Sequence, residues 1–363
     1  MPTFPEPNPP IHRGQPYWTP LHVKLQQTLT RRSLLLQKQR LLIAVSGGQD
    51  SLCLLRLLLD LQSQWQWHLQ VVHCDHRWRP DSEANASHVA MLCQAWQVPC
   101  TVMVTEHSLP SEAAARTWRY QVFTDLANAL NCPVVLTGHT ASDRAETLLH
   151  NLMRGSGLDG LTALTWSRDL QPGLQLIRPL LNITRGETGQ FCQEQALPIW
   201  DDSTNQELTY SRNRIRLELL PYLQQHLNAQ VDRHLAQTAE LLAADLAYLE
   251  AQTDRYWSQV TSPPLATPQL ATPQIEPEPA ADPASATRLN RHVLADLPLA
   301  LQRRLIRRFL QQYLPQQPNY NQIEKVVALI TAPNRSQTDP FPGGAIARVN
   351  GAWLELLELS QPG

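Results

Sequence analysis

From residue 41 onward, short apolar runs alternate with longer amphipathic ones. Four runs rich in β-branched residues read as strands: LLIAV (Leu41–Val45), LQVVH (Leu69–His73), CTVMV (Cys100–Val104) and PVVLTG (Pro133–Gly138). Between and after them, helical spacing of apolar positions predicts helices over Asp50–Leu61, Asp81–Trp96, Glu112–Leu130 and Ser142–Met153. Strands joined by helices of that length imply βαβ units and a parallel sheet covered on both faces. Ligands in such sheets bind beyond the carboxyl ends of the strands. Three polar segments fall there: SGGQDS (Ser46–Ser51), HCDHRWR (His73–Arg79) and TGHTASD (Thr137–Asp143).

After about residue 185 the pattern turns helical, through SRNRIRLELLPYLQQHL and on to Leu249. Residues 261–285 then carry seven prolines, a tandem LATPQ and no basic residue, the composition of a linker or disordered insertion. ALQRRLIRRFLQQYL and NQIEKVVALI read as helices, and the alternation after Phe341–Gly344 reads as a terminal hairpin. The expected division is an N-terminal extension over 1–40, an α/β domain over 41–225 and a helical connector over 226–257. A proline-rich linker over 258–287 and a small α+β C-terminal domain over 288–363 follow.

Composition adds little. The 363 residues are 42% hydrophobic with a net charge of −2, so no overall basic field announces a polyanionic partner. Only Lys24, Lys38 and Lys325 are lysines; the other basic residues are arginines, whose planar fork suits phosphate and base recognition. A genomic bias explains that count equally well. The six cysteines are scattered, with no C-x-x-C, which favours reduced thiols and a cytoplasmic location. No apolar run approaches the ~20 residues a membrane helix needs. The first forty residues hold six basic groups and one acid, but their prolines and near lack of serine fit a transit peptide poorly.

SGGQDS poses the chemical question. Anions are held where backbone N–H groups converge at a turn feeding a helix amino terminus. Gly47 and Gly48 permit close approach, Ser46 and Ser51 add hydroxyls, and Asp50 suits a Mg²⁺ ion bridging phosphates. The plain alternative is a tight turn with a polar helix cap. The chain has neither G-K-[ST] nor G-x-G-x-x-G, which excludes a Walker A loop and a dinucleotide fingerprint.

S-G-G-x-D-S after a first strand resembles the loop of the PP-loop ATP pyrophosphatases, which cleave ATP to AMP and pyrophosphate. Further segments are similar to those of the tRNA(Ile)-lysidine synthetases within that superfamily. They are His73-x-x-His76-x-x-Arg79, Ala115-Arg116-x-x-Arg119-Tyr120, and Thr137-Gly138-His139 leading to Asp143-x-x-Glu146-Thr147. Arg154-Gly155-Ser156-Gly157-Leu158, Arg178-Pro179-Leu180-Leu181, Asp201-Asp202-Ser203-x-Asn205 and Arg212-Asn213-x-x-Arg216 complete the set. The resemblance spans about residues 40 to 225 and, more weakly, the unit around Phe341–Leu357. Two departures stand out: Ser142 replaces the first acid of the family's H-x-x-D-D segment, and Arg77-Trp78 replaces a Gly-Leu pair.

The resemblance implies a Rossmann-like PP-loop domain and ATP with Mg²⁺ as cofactors. It also implies two substrates, a CAU-anticodon tRNA(Ile) and free L-lysine, and the adenylation of C2 of the wobble cytidine before lysine displaces AMP. Homodimerisation is left open. Such chemistry needs ATP, because an oxygen leaving as part of AMP has a pKa of about 6 instead of about 15.7, worth at most ~13 kcal/mol. Deprotonating lysine at pH 7 costs about 4.6 kcal/mol, and a nearby carboxylate would hold the ammonium and take its proton.

The expected nucleotide pocket comprises Ala44, Ser46, Gly47, Gly48, Gln49, Asp50, Ser51, His73, Gly138 and His139, with Asp50 the Mg²⁺ residue. Asp143 and Glu146, a turn apart on one helix face, are the candidate acids for lysine, and Arg116 and Arg212 the candidates at the α-phosphate. Arg119, Arg214 and Arg216, with the striped Arg303, Arg304, Arg307 and Arg308, are the expected tRNA contacts. Solvated ion-paired faces are the plain alternative for the arginines. His73, Cys74, Asp75 and His76 do not form a compact metal set, since a strand splits them between faces. A PP-loop tRNA thiolase and a non-catalytic tRNA-binding protein are the rivals; isolated cysteines oppose the first, and an intact SGGQDS the second.

Overall fold

The computed structural model describes residues 18–78, 80–107, 109–200, 208, 210–262 and 287–358. Arg79, Asp201–Asn205 and most of the proline-rich tract therefore lie outside the described residues. By contacts the chain divides into Met1–Ala243 and Ala244–Gly363.

The first unit is built on a six-stranded sheet, ordered β3-β2-β1-β4-β6-β5. Its strands are β1 (Arg40–Ala44), β2 (His68–Asp75), β3 (Cys100–Val104), β4 (Val134–Thr137), β5 (Ser167–Gln171) and β6 (Leu174–Ile177). All pairs are parallel except β5 with β6. Helices α2 (Gln49–Trp65), α3 (Ser82–Ala95), α4 (Glu112–Ala129) and α5 (Ala141–Met153) connect the first four strands and follow the fourth. The strand order reverses beside β1, placing the crevice over the β1 and β4 carboxyl ends. One face of β1 buries Leu41 and Ile43 among α2 leucines, and the other buries Leu42 against Val122 and Phe123 of α4.

Helix α1 (Pro20–Arg31) belongs to this same core, burying Leu21, Leu25 and Leu29, although an extension was expected through residue 40. The i, i+4 leucine spacing was present, but a proline- and arginine-rich composition masked it. The antiparallel β5–β6 edge was also unexpected; its runs are only five and four residues long, and the first, SRDLQ, is mostly polar. Helices α6 (Leu158–Leu161), α7 (Arg185–Glu194), α8 (Ser211–Arg214) and α9 (Leu220–His226) follow, with a π-helical turn at Ile215–Leu219. Helix α10 runs over Val231–Val260 without the break expected at 257, and the division between the units falls inside it.

The second unit has a small sheet ordered β7-β8-β10-β9, from β7 (Thr261–Ser262), β8 (Arg288–Asn290), β9 (Ala345–Asn350) and β10 (Trp353–Glu358). The β9–β10 pair is the expected hairpin, turning through Gly351 at φ +60°. Helices α11 (Arg291–Ala295), α12 (Leu299–Gln311) and α13 (Tyr320–Leu329) complete this unit, whose core gathers Leu305, Ile306, Phe309, Val326, Ala347 and Leu354. Among the described residues no helix is long and apolar enough to cross a membrane.

Candidate active site

A cleft of about 410 Å³ opens at the carboxyl ends of the parallel strands. It is lined by Ala44, Ser46, Gly48, Gln49, Asp50, Ser51, His73, Gly138 and His139, with Arg116, Arg119, Asp143, Arg212 and Arg216. Of the expected nucleotide residues only Gly47 is absent from the lining; it is buried at φ +88°, where an added Cβ would lie 2.5 Å from Asn85 Oδ1. Glycine is what that turn requires.

The loop carries a helix start without a cap. Gly48 is the N-cap of α2 and offers no side chain, whereas α4, α5 and α7 are capped by Ser111, Thr140 and Thr184. The first-turn N–H groups of α2 are thus left for a ligand. Ser51 serves the loop instead of pointing outward: its hydroxyl donates to Gly48 O (2.9 Å) and accepts from Ser46 N (3.2 Å).

Asp50 sits in the first turn of α2, and both its oxygens are engaged. Thr188 Oγ1 donates to Oδ1 at 2.5 Å and Arg185 Nη1 to Oδ2 at 2.8 Å. Gln49 reinforces the clamp, its Nε2 donating to Arg185 O (2.7 Å) and Thr188 Oγ1 (2.8 Å). Burial pushes the Asp50 carboxyl up to about 6, with Asp143 adding to the rise and Arg185 opposing it. Arg185 and Thr188 escaped the sequence reading. Thr184-x-x-Glu187, a capping box immediately after Arg178-Pro179-Leu180-Leu181, was the signal that a helix starts at this rim.

Behind the loop lies a cluster of opposite charges. Arg216 donates from Nε to Glu146 Oε1 (2.7 Å) and from Nη2 to Asp143 Oδ1 (3.0 Å) and Glu146 Oε2 (2.9 Å). Arg212 adds Nε to Glu146 Oε2 at 3.3 Å and pairs with Asp143 Oδ1 at 3.6 Å. Burial works to raise the Asp143 carboxyl, but His139, the two arginines and Thr140 N–H hold it below the usual range. Burial lowers His139 to about 4, so it is neutral at physiological pH.

This packing reassigns two expectations. Glu146 is 1% exposed and does not line the cleft; it neutralises arginines and is not presented to a small amine. Arg216, expected on a tRNA-facing surface, is a cleft wall locked to both acids, which raise its pKa. Arg214 does sit on the exposed side, near Glu218 at 3.3 Å. Arg116 and Arg119 line the cleft and form no ion pair among the described residues, and Arg116 lies 5.3 Å from the Tyr120 ring centroid. In the second unit, Arg303 pairs with Glu324 (2.7 Å), Arg304 with Glu250 and Arg308 with Asp254 (2.5 Å). Arg307 shares this half-buried helix face.

All six cysteines are free. Cys74 lines the cleft, and burial pushes it up to about 12, which keeps it a thiol. Among the described residues no three of His, Cys, Asp and Glu converge as a metal site.

Residues 19–223 match the PP-loop domain family, and residues 289–353 match the TilS substrate binding domain. The chain is 55% identical over 340 residues to a tRNA(Ile)-lysidine synthase of Nostoc sp., covering 93% of this chain and 97% of that protein. It is 51% identical over 346 residues to a tRNA(Ile)-lysidine synthase of Synechocystis sp., covering 94% and 98%. A solved U34-tRNA thiolase, NcsA of Methanococcus maripaludis with its 4Fe–4S cluster, shares the fold alone. Its TM-score is 0.53 at 16% identity, over 61% of this chain and 77% of that one. The cleft thus sits in a domain whose family is shown along nearly the full length: the chain belongs to the tRNA(Ile)-lysidine synthase family.

Proposed function

We propose that this protein ligates free L-lysine to C2 of the wobble cytidine of a CAU-anticodon tRNA(Ile), consuming ATP and releasing AMP and pyrophosphate. The observation that carries this reading is the uncapped amino terminus of α2, opening into the same cleft as Asp143. Two chemistries meet there. The first-turn N–H groups suit phosphate oxygens, and Asp143, kept ionised, suits an ammonium group.

The triphosphate is bound along Ser46–Ser51, with Arg116 facing charge that develops at the α-phosphate. Asp50 would hold a Mg²⁺ ion as the carboxylate of a set completed by phosphate oxygens and waters, through the oxygen that Arg185 engages here. Bound there, the ion would neutralise phosphate charge. Asp143 holds the incoming lysine by its ε-ammonium; with its carboxyl held low it anchors the amine and is a weak proton acceptor. Arg212 and Arg216 fix the Asp143 carboxylate, and buried Glu146 balances their charge. Arg119, Arg214 and the α12 arginines are the proposed RNA contacts, the latter inside the matched substrate binding domain.

Labelled lysine incubated with the protein, ATP, Mg²⁺ and CAU-anticodon tRNA should enter the RNA. Incorporation should vanish when the wobble cytidine is replaced by uridine. Equal labelling of both tRNAs would sink the assignment. A thiolase is disfavoured because Cys74, which faces the cleft, is held as a thiol and not a thiolate.

A further inference from the structure

Ser142 occupies the position where the resembled H-x-x-D-D segment has an acid, and a carboxylate reaches it from elsewhere. Ser142 Oγ donates to Asp232 Oδ2 at 2.8 Å, and Asp232 belongs to the first turn of α10. The same Oγ accepts from Arg185 N at 3.0 Å. Arg185 is the first residue of α7, where N–H groups have no partner within the helix. Ser142 and Asp232 are only 8% and 7% exposed, so water competes poorly for these bonds. The other Asp232 oxygen accepts from Arg233 N at 2.8 Å, which fixes the carboxylate on its own helix.

The turn of α7 held in this way is the one that clamps the phosphate loop. Arg185 reaches Asp50 with its guanidinium and Gln49 with its carbonyl, and Thr188 reaches Asp50 from one turn later. A serine hydroxyl has one proton, and Asp232 takes it, turning a lone pair toward Arg185 N–H. Without Asp232 the hydroxyl is free to rotate and α7 loses a fixed point.

We propose that Asp232 and Ser142 form a positioning pair that sets the α7 amino terminus against Asp50, with Asp232 supplying from α10 the carboxylate that position 142 lacks. Asp232 does not line the cleft and acts through Ser142. The proposal rests on the ATP site of the function proposed above, but not on lysine or tRNA.

The test is a carboxylate swap in the full chain, read as ATP affinity by calorimetry without tRNA or lysine and as kcat and KM for pyrophosphate release with both present. Asp232→Ser should weaken ATP binding and raise KM for ATP by about 10-fold or more, the scale of losing a group that orients another. Ser142→Asp combined with Asp232→Ser returns a carboxylate to accept Arg185 N–H and a hydroxyl to donate to it. It should recover binding to within about 3-fold of wild type, a span of ~0.7 kcal/mol. Asp232→Ser that binds ATP like wild type would overturn the proposal. So would a swap no better than Asp232→Ser alone, whether that variant is well folded or merely unstable. Should lysine prove not to be the substrate, the calorimetric comparison still decides the positioning role.

Discussion

Gly138 follows β4 where the chain passes beneath the phosphate loop, and a single methyl group there should disable the site. A Cβ at this position would lie 2.8 Å from Asp50 O, 2.9 Å from Asp50 C and 3.0 Å from Ser51 Cα. All three are backbone atoms, so no side-chain rotation relieves the clash. Ordinary van der Waals contact needs about 3.5 Å, so the first turn of α2 or the end of β4 must move by roughly 0.5–1 Å. Overpacking of this kind costs about 1–3 kcal/mol in stability. The larger effect falls on function, because a displacement near 1 Å can cost about 100-fold in rate. Gly138→Ala should therefore lower kcat/KM for ATP by about 10- to 100-fold while the urea midpoint falls only modestly. Gly157→Ala is the control: nothing lies within 4 Å of its Cβ, and its φ is −72°. Gly138→Ala activity within twofold of wild type would show that the α2 turn need not sit where the structure puts it.

Three further outcomes follow from the site's electrostatics. The Asp50 carboxyl, raised from an ordinary 3.8 to about 6, favours the protonated fold, so its stabilising contribution is complete below pH 4 and lost as pH rises through 6. Asp50→Asn should therefore be inactive yet more stable than wild type by up to ~3 kcal/mol at pH 8, with the gap closing toward pH 4; a pH-independent difference in urea unfolding would refute this. Arg216→Ala leaves Glu146, at 1% exposure, with Arg212 as its remaining cationic partner and should cost about 3 kcal/mol, much of it recovered by adding Glu146→Leu; a loss under 1 kcal/mol would mean that Arg212 or water compensates the carboxylate in full. Arg303→Ala with Arg307→Ala should weaken tRNA binding and flatten its dependence on salt; an unchanged slope would remove the α12 face from the RNA footprint.

The βαβ order and the position of the cleft could be read from the sequence because they are local properties. Apolar periods fix the elements, and in a parallel sheet the carboxyl ends of the strands are where ligands bind. Ser46–Ser51, His139 and Asp143 were legible for the same reason, each lying a few residues beyond a strand end. The pairings were not. Asp50 meets Arg185 and Thr188 across more than 130 positions, and Ser142 meets Asp232 across 90. No local pattern encodes such contacts. Glu146 shows the reverse error: a residue on the correct helix face was read as open to substrate, whereas two arginines from the α8 region cover it. The α12 arginines illustrate the limit of counting charges, since acids on α10 and α13 pair with Arg303, Arg304 and Arg308.

The central claim is that one cleft both splits ATP and admits lysine. Its most direct test is pyrophosphate release by the purified protein with CAU-anticodon tRNA, with lysine added or withheld. Sustained turnover is expected only when lysine is present, and none in either case for Asp50→Ala. Turnover at the same rate without lysine would contradict it.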